Sequence, residues 1–252
     1  MAWDEELFAR IGGDYDLVFA GEVAHTQAQA DFAAHACGLR PGQRVLDVCC
    51  GPGRHAVALA LRGLSVTGVD RDPHLLEVAR ERARSRGVGV HWVRGDVRHL
   101  PRLGVFHAAI CLFASWGYAA DPAHDELILA GVARRLRPGG HFLVDVPNLL
   151  WLLAHPSGEE LSVAGGVAVR EIRRFDPASR QLSARWQVRQ PGRPPWQIQA
   201  HCRVYGLEDL EWMLARAGLV LEAAYGEFDG TPLTAQRPRC LALARRPILP
   251  AQ

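Results

Sequence analysis

Short apolar runs alternate with amphipathic or alanine-rich stretches through the first 150 residues. Val45–Val48, Ser65–Val69, Val88–Val93, His107–Phe113 and His141–Val146 read as strands. Between them, His55–Arg62, the run from Pro73 to about Arg86, and Pro122–Leu136 carry helical spacing. Pro73 suits a first helical turn, and Gly63 and Gly87 fit C-terminal stops. Arg137-Pro138-Gly139-Gly140 predicts a hard stop before the fifth strand. His107–Phe113 is almost wholly apolar, as expected of a strand covered on both faces. Strand and helix alternate at a spacing of roughly 20–25 residues, which predicts a doubly wound parallel sheet. Right-handed crossovers then carry every strand C-terminus to one edge. Asp47, Asp70, Asp96, Phe113 and Pro147 are thereby expected along one crevice.

Outside this region the spacing differs. Residues 1 to 36 read as helical, with a short acidic piece at Asp4–Phe8 and a longer alanine-rich run at Tyr15–Cys37. Beyond residue 150, Val167–Ile172, Leu182–Val188 and Trp196–Val204 are strand-like with no helix between them. Turns at Asp176-Pro177 and Gly192–Pro195 predict an antiparallel insert of about three strands. Leu207–Ala217 returns to helix, and Leu219–Tyr225 and Arg239–Ala244 complete the main sheet. The expected organisation is a helical cap (1–38), a main domain (39–150 and 205–248) and a β insert (151–204). The insert would cover a substrate or supply a subunit contact, since exposed strands pair readily.

The densest chemistry lies in Val45–Gly53, V-L-D-V-C-C-G-P-G. An apolar strand ends in an acid and breaks into a glycine-bearing turn, and a helix follows at once. Asp70 closes the next strand. This order of parts suits a nucleotide-type ligand. Small residues let the backbone approach it, and an acid on the second strand can take two ribose hydroxyls.

These residues resemble class I S-adenosylmethionine-dependent methyltransferases. V-L-D-V-C-C-G-P-G-R-H is similar to that family's first motif, D-x-G-x-G-x-G, with Cys49 where its first glycine usually stands. Asp70 in G-V-D, Gly95-Asp96-Val97, and Leu136–Gly140 in L-R-P-G-G match further family elements. The flanks are similar to a bacterial small-molecule subgroup that includes sugar N-methyltransferases with an antiparallel insert. The matching segments are Tyr15-Asp16, L-F-A-S-W-G-Y at Leu112–Tyr118, H-C-R-V-Y at His201–Tyr205, and Y-G-E-F-D-G at Tyr225–Gly230.

The resemblance implies a Rossmann-like α/β fold: a seven-stranded, mostly parallel sheet with an antiparallel last strand. It also implies S-adenosylmethionine as cofactor, with no metal. Gly51, Gly53 and Cys49 would border its methionine portion, and Asp47 its ammonium. Asp70 would take the ribose, Asp96 the adenine amine, and Val97 and Arg71 the ring. Leu112 and Phe113 would wall the sulfonium side, and Tyr15 would close the pocket. Helix caps or turn carboxylates are the alternative roles for the three aspartates. Trp116, Tyr118, Asn148, Arg203 and Tyr205 are candidates for the acceptor pocket, with His201 beside them. No single residue is identified as catalytic, because in-line methyl transfer requires alignment more than a protein nucleophile.

Composition narrows the chemistry. All 29 cationic Lys/Arg positions are arginine, which excludes a Schiff-base lysine or a phosphate-loop lysine. The net charge of +2 gives no dense basic face for nucleic acid. Arg170, Arg173 and Arg174 are expected on an exposed strand edge. Six cysteines make no C-x-x-C pair, so no zinc site is expected. No run of about 20 apolar residues or leader pattern is present, and the expectation is a cytoplasmic protein with no membrane partner. The expected partner is a small-molecule acceptor, methylated on nitrogen or oxygen, in a protein that forms a homodimer through the insert. An RNA methyltransferase, a non-catalytic cofactor-binding module and an NAD-dependent oxidoreductase remain as alternatives, the last because Gly51–Ala56 also fits G-x-G-x-x-A.

Overall fold

In the computed structural model, β1 (Arg44–Val48), β2 (Ser65–Asp70), β3 (His91–Arg94), β4 (Phe106–Cys111) and β5 (Leu136–Pro147) form parallel neighbours. The structure describes residue 11, residues 14–119 and residues 121–248. The expected Asp4–Phe8 helix lies outside them. β11 (Arg239–Arg245) runs antiparallel to β5 and to the outer strand β10 (Val220–Tyr225). The seven-stranded order is β10-β11-β5-β4-β1-β2-β3. Chain direction across the sheet reverses between β1 and β4. Their C-terminal ends therefore open a crevice, where ligands of open α/β sheets bind.

Alternation along each strand builds the core on both faces. Leu46 and Val48 pack with Ile128, Leu129, Leu210 and Leu214 on one side. Those four lie on α6 (Pro122–Arg135) and α8 (Leu207–Arg216). Val45 faces the other side, with Ala30, Ala33, Ala56 and Leu59. These belong to α3 (Thr26–Ala36) and α4 (Arg54–Leu61). α4 is buried at nearly every position because α3 covers the face turned away from the sheet. α5 (Pro73–Ser85) starts at Asp72, whose carboxylate accepts the His74 and Leu75 amides.

Several boundaries depart from the sequence reading. The alanine-rich N-terminal run is broken into α1 (Tyr15–Val18), α2 (Ala20–Ala24) and α3, with the breaks at Phe19 and His25. β4 stops at Cys111, because Phe113 and Ala114 have φ of 67° and 49°, which no strand accommodates. The Arg137–Gly140 segment is an irregular start to β5: the Gly139 amide donates to the Arg246 carbonyl with φ at 75°. A short helix, α7 (Leu149–Ala154), follows β5.

The insert has four strands, one more than expected: β6 (Ser157–Ala164), β7 (Val167–Asp176), β8 (Gln181–Arg189) and β9 (Trp196–Arg203). β6 escaped the sequence reading because S-G-E-E-L-S-V-A is mostly polar. It is an outer strand with Leu161 and Val163 exposed. β7 is therefore internal, and Arg170, Arg173 and Arg174 are not on a sheet edge. Val167, Val169 and Val188 pack on Val18, and Ile198 and Ala200 pack on Tyr15. The N-terminal helices are thus held against the insert. Among the described residues, no helix is long and apolar enough to cross a membrane.

Candidate active site

A cavity of about 480 Å³ lies over the sheet's C-terminal edge. The strand tips provide its floor. Cys50 ends the β1 turn with its amide on the Val69 carbonyl, and Gly51 and Gly53 follow with φ of 52° and 73°. Cys49 itself adopts φ 58°, so the backbone keeps the left-handed shape that a glycine would give for free. A Cβ on Gly53 would meet the Trp92 ring at 2.4 Å, so this glycine is required by packing beneath the turn.

Asp70 holds that turn from the second strand. Its Oδ2 accepts the Gly51 amide at 2.8 Å and its Oδ1 the Asp72 amide at 2.9 Å. Each oxygen retains a lone pair for a ligand hydroxyl. The cap of α5 is Asp72, so that role does not fall to Asp70. Asp96 caps a short 3₁₀ turn at Val97–His99 and is chelated by the Arg98 guanidinium, which holds its carboxyl below the usual range.

Asp47 is 2% exposed, and burial pushes its carboxyl up to about 7. Its Oδ2 has no hydrogen-bond partner. Arg54 opens α4 nearby. One of its nitrogens, Nη1, bonds to the Glu22 carbonyl, Thr26 and Gln29, while the buried Nη2 has no partner. An orphaned carboxylate oxygen and an orphaned guanidinium nitrogen beside a glycine turn match the two ends of an amino-acid group. The residues present therefore fit the methionine portion of S-adenosylmethionine. His55 is buried against Gln29, and burial pushes its imidazole toward the neutral form.

Aromatic rings form the walls. Tyr15 meets Phe19 in a tilted contact at 4.9 Å, Phe19 meets Phe113 at 5.2 Å, and Phe19 meets Trp186 of β8 at 5.7 Å. Burial pushes the Tyr15 hydroxyl up to about 12, so it stays protonated. The Phe113 amide donates to Asp145, which is buried and paired to Arg239 at 2.8 Å. Arg239 also binds Glu22, tying α2 to β11.

Of the residues singled out from sequence, Tyr15, Cys49, Gly51, Asp70, Arg71, Asp96, Val97, Leu112, Phe113 and Tyr118 line this cavity. Asp47 and Gly53 lie beneath its floor. The other acceptor candidates lie off its wall. Trp116 is in the core, 2% exposed. Asn148 caps α7 and donates to the Thr234 and Arg237 carbonyls. The Tyr205 hydroxyl donates to Asp125 at 2.6 Å, and Arg203 lies 3.7 Å from the same carboxylate. His201 is exposed on β9. These placements join two segments distant in sequence: the Arg203 amide donates to the Gly117 carbonyl, and a Cβ at Gly117 would strike the Arg203 carbonyl at 2.2 Å.

Sequence reasoning missed Arg54, Glu22, Glu171, Trp151, Trp186 and Arg239, all of which line the cavity. Arg54, directly after the glycine turn, was the one with a local signal. Among the described residues, no group of three or more His, Cys, Asp and Glu is poised for a metal.

Residues 45–140 match a methyltransferase-domain family. A ubiquinone biosynthesis O-methyltransferase of Alkalilimnicola ehrlichii is 36% identical over 123 residues, 47% of this chain and 47% of that protein. The chain spans about half the length of the curated relatives it matches. Two solved structures are similar in fold over most of the chain. The CcbJ methyltransferase of Streptomyces caelestis superposes with a TM-score of 0.79 at 23% identity, covering 89% of this chain and 90% of that one. The sugar N-methyltransferase KedS8 of Streptoalloteichus gives 0.72 at 22%, covering 93% of each. At such identities these likenesses speak for the fold. Residues 45–140 thus match a methyltransferase domain, and the sheet order and the glycine turn agree with that match.

Proposed function

We propose that this protein transfers a methyl group from S-adenosylmethionine to a nitrogen or oxygen of a small-molecule acceptor. One observation carries the reading: a single cavity joins the acidic strand tips to the aromatic inner face of the insert. The first region suits the cofactor and the second an acceptor. Relatives named for O- and N-methylation support the same class of reaction.

Asp70 would hold the ribose through the lone pairs left by its two backbone bonds, and Asp96 and Val97 would border the adenine. Asp47 and Arg54 would receive the ammonium and carboxylate of the methionine end. The bound sulfonium supplies an electrophilic methyl whose transfer discharges a cation, so a site that excludes water favours reaction. Tyr15, Phe19 and Phe113 provide that exclusion. The insert and N-terminal helices would cap the acceptor and set its choice.

Calorimetric titration with S-adenosylhomocysteine and with NAD tests the cofactor. The first is expected to bind and the second not. Asp70→Ala is expected to weaken S-adenosylhomocysteine by about 1–3 kcal/mol, the range for hydrogen bonds to a charged group. Unchanged affinity in a variant with wild-type circular dichroism would remove Asp70 from the ribose.

A further inference from the structure

The cavity holds several carboxylates, and their partners separate them. Asp145 and Glu22 are paired to Arg239, and Asp96 is chelated by Arg98. Asp70 spends two lone pairs on backbone amides, and Asp125 takes the Tyr205 hydroxyl. Each of these already has a cation, a hydroxyl or backbone amides of the protein as a partner. Glu171 of β7 differs. It is half-buried, and its hydrogen bond comes from a neutral donor, Trp186 Nε1 at 3.0 Å. The indole fixes the carboxylate's direction without neutralising it.

Its location is on the acceptor side. Trp186 reaches Phe113 at the β4 tip through Phe19, over two ring contacts of 5.7 and 5.2 Å. Glu171 is thus two rings from the floor where the cofactor would end. The sheet's opposite face shows the contrast: there Arg170, the neighbour of Glu171, is bound bidentately by Glu159. Directly across the inner face, Glu160 stands opposite Glu171, a like-charge pairing that weakens a sheet.

Building on the proposed methyl transfer, we infer that the acceptor atom is an amine nitrogen and that Glu171 binds its ammonium form and removes the proton. The amine N–H bond breaks with its electrons left on nitrogen, and the proton goes to a Glu171 oxygen. The freed lone pair forms the N–C bond as the C–S bond breaks, its electrons staying on sulfur. The alkylated nitrogen carries the positive charge away. Burial raises the Glu171 carboxyl above the usual glutamate range, which suits a proton acceptor. The charged and titratable groups around it are Arg173 on its own strand, Glu160 on β6, Glu22 on α2 and Tyr118 after β4. Arg173 opposes the rise, and Glu160 and Glu22 add to it.

The test uses the whole chain saturated with S-adenosylhomocysteine and two probes that share one ring, cyclohexylamine and cyclohexanol. Calorimetry is expected to show the amine binding at least tenfold more tightly than the alcohol at pH 8. That preference should fall toward one as pH drops through the raised Glu171 value. In Glu171→Gln the preference is expected to vanish while S-adenosylhomocysteine affinity is unchanged. No preference in the wild type, or the same preference in Glu171→Gln, overturns the inference. Failure of S-adenosylhomocysteine itself to bind would instead overturn the methyltransferase reading on which it rests.

Discussion

Asp47 shows how a single side chain reports on its missing partner. Its carboxyl is raised from the usual 3.8 to about 7, chiefly by burial and partly by the nearby Asp70, with Arg54 opposing. A folded value above the unfolded one means the native state holds the extra proton between about pH 4 and 7. Stability from this group is complete below pH 4 and is lost as pH rises through 7. Each pH unit corresponds to about 1.4 kcal/mol. Between pH 5 and 8, Asp47→Asn should therefore gain up to about 3 kcal/mol on the wild type, measured by urea unfolding without ligand. A difference that stays constant with pH would contradict a buried, unpaired carboxyl. Asp47 was legible in sequence as an acid at a strand tip. Glu171 was not, because a glutamate among arginines on a strand carries no local mark of which face is covered.

Among the secondary elements, the β1–α4 turn is the best specified. Its shape needs left-handed residues at Cys49, Gly51 and Gly53, and α4 starts directly on the last of them. At Gly53 both constraints act: φ is 73°, and an added methyl would lie 2.4 Å from Trp92 and 2.8 Å from Ala79. Gly53→Ala is expected to destabilise the fold by about 2–4 kcal/mol, combining backbone strain with overpacking. Thermal unfolding with and without S-adenosylhomocysteine would show the loss in both conditions. A change under 0.5 kcal/mol would mean that Trp92 moves aside freely. The strands and crossover helices of this half were visible from spacing because each is buried on a defined face. β6 was not, because an exposed outer strand has no apolar alternation to read.

Across the whole molecule, one cation joins parts far apart in the chain. Arg239 on β11 pairs with buried Asp145 on β5 and with Glu22 on α2, and its guanidinium stacks 5.6 Å from the Phe228 ring. Removing one partner of a buried pair leaves an uncompensated charge. Arg239→Met is therefore expected to cost about 3–5 kcal/mol in chemical denaturation. Adding Asp145→Asn should restore a substantial part. If the double variant is no more stable than the single one, the loss comes from packing and not from the stranded carboxylate. The same pairing holds α2, and with it Tyr15 and Phe19, over the strand tips, so site and stability share one network.

The amino-acid order alone settled the doubly wound sheet, the glycine turn and the acids at the strand ends. All of these follow from spacing within some twenty residues, where period and turn chemistry act locally. The partners of the other buried carboxylates were beyond its reach. Arg239 reaches Asp145 from 94 residues away and Glu22 from 217, so whether those carboxylates are paired depends on the assembled fold. Burial and Coulomb energy are set by distance in space, which only the assembled sheet, helices and insert define.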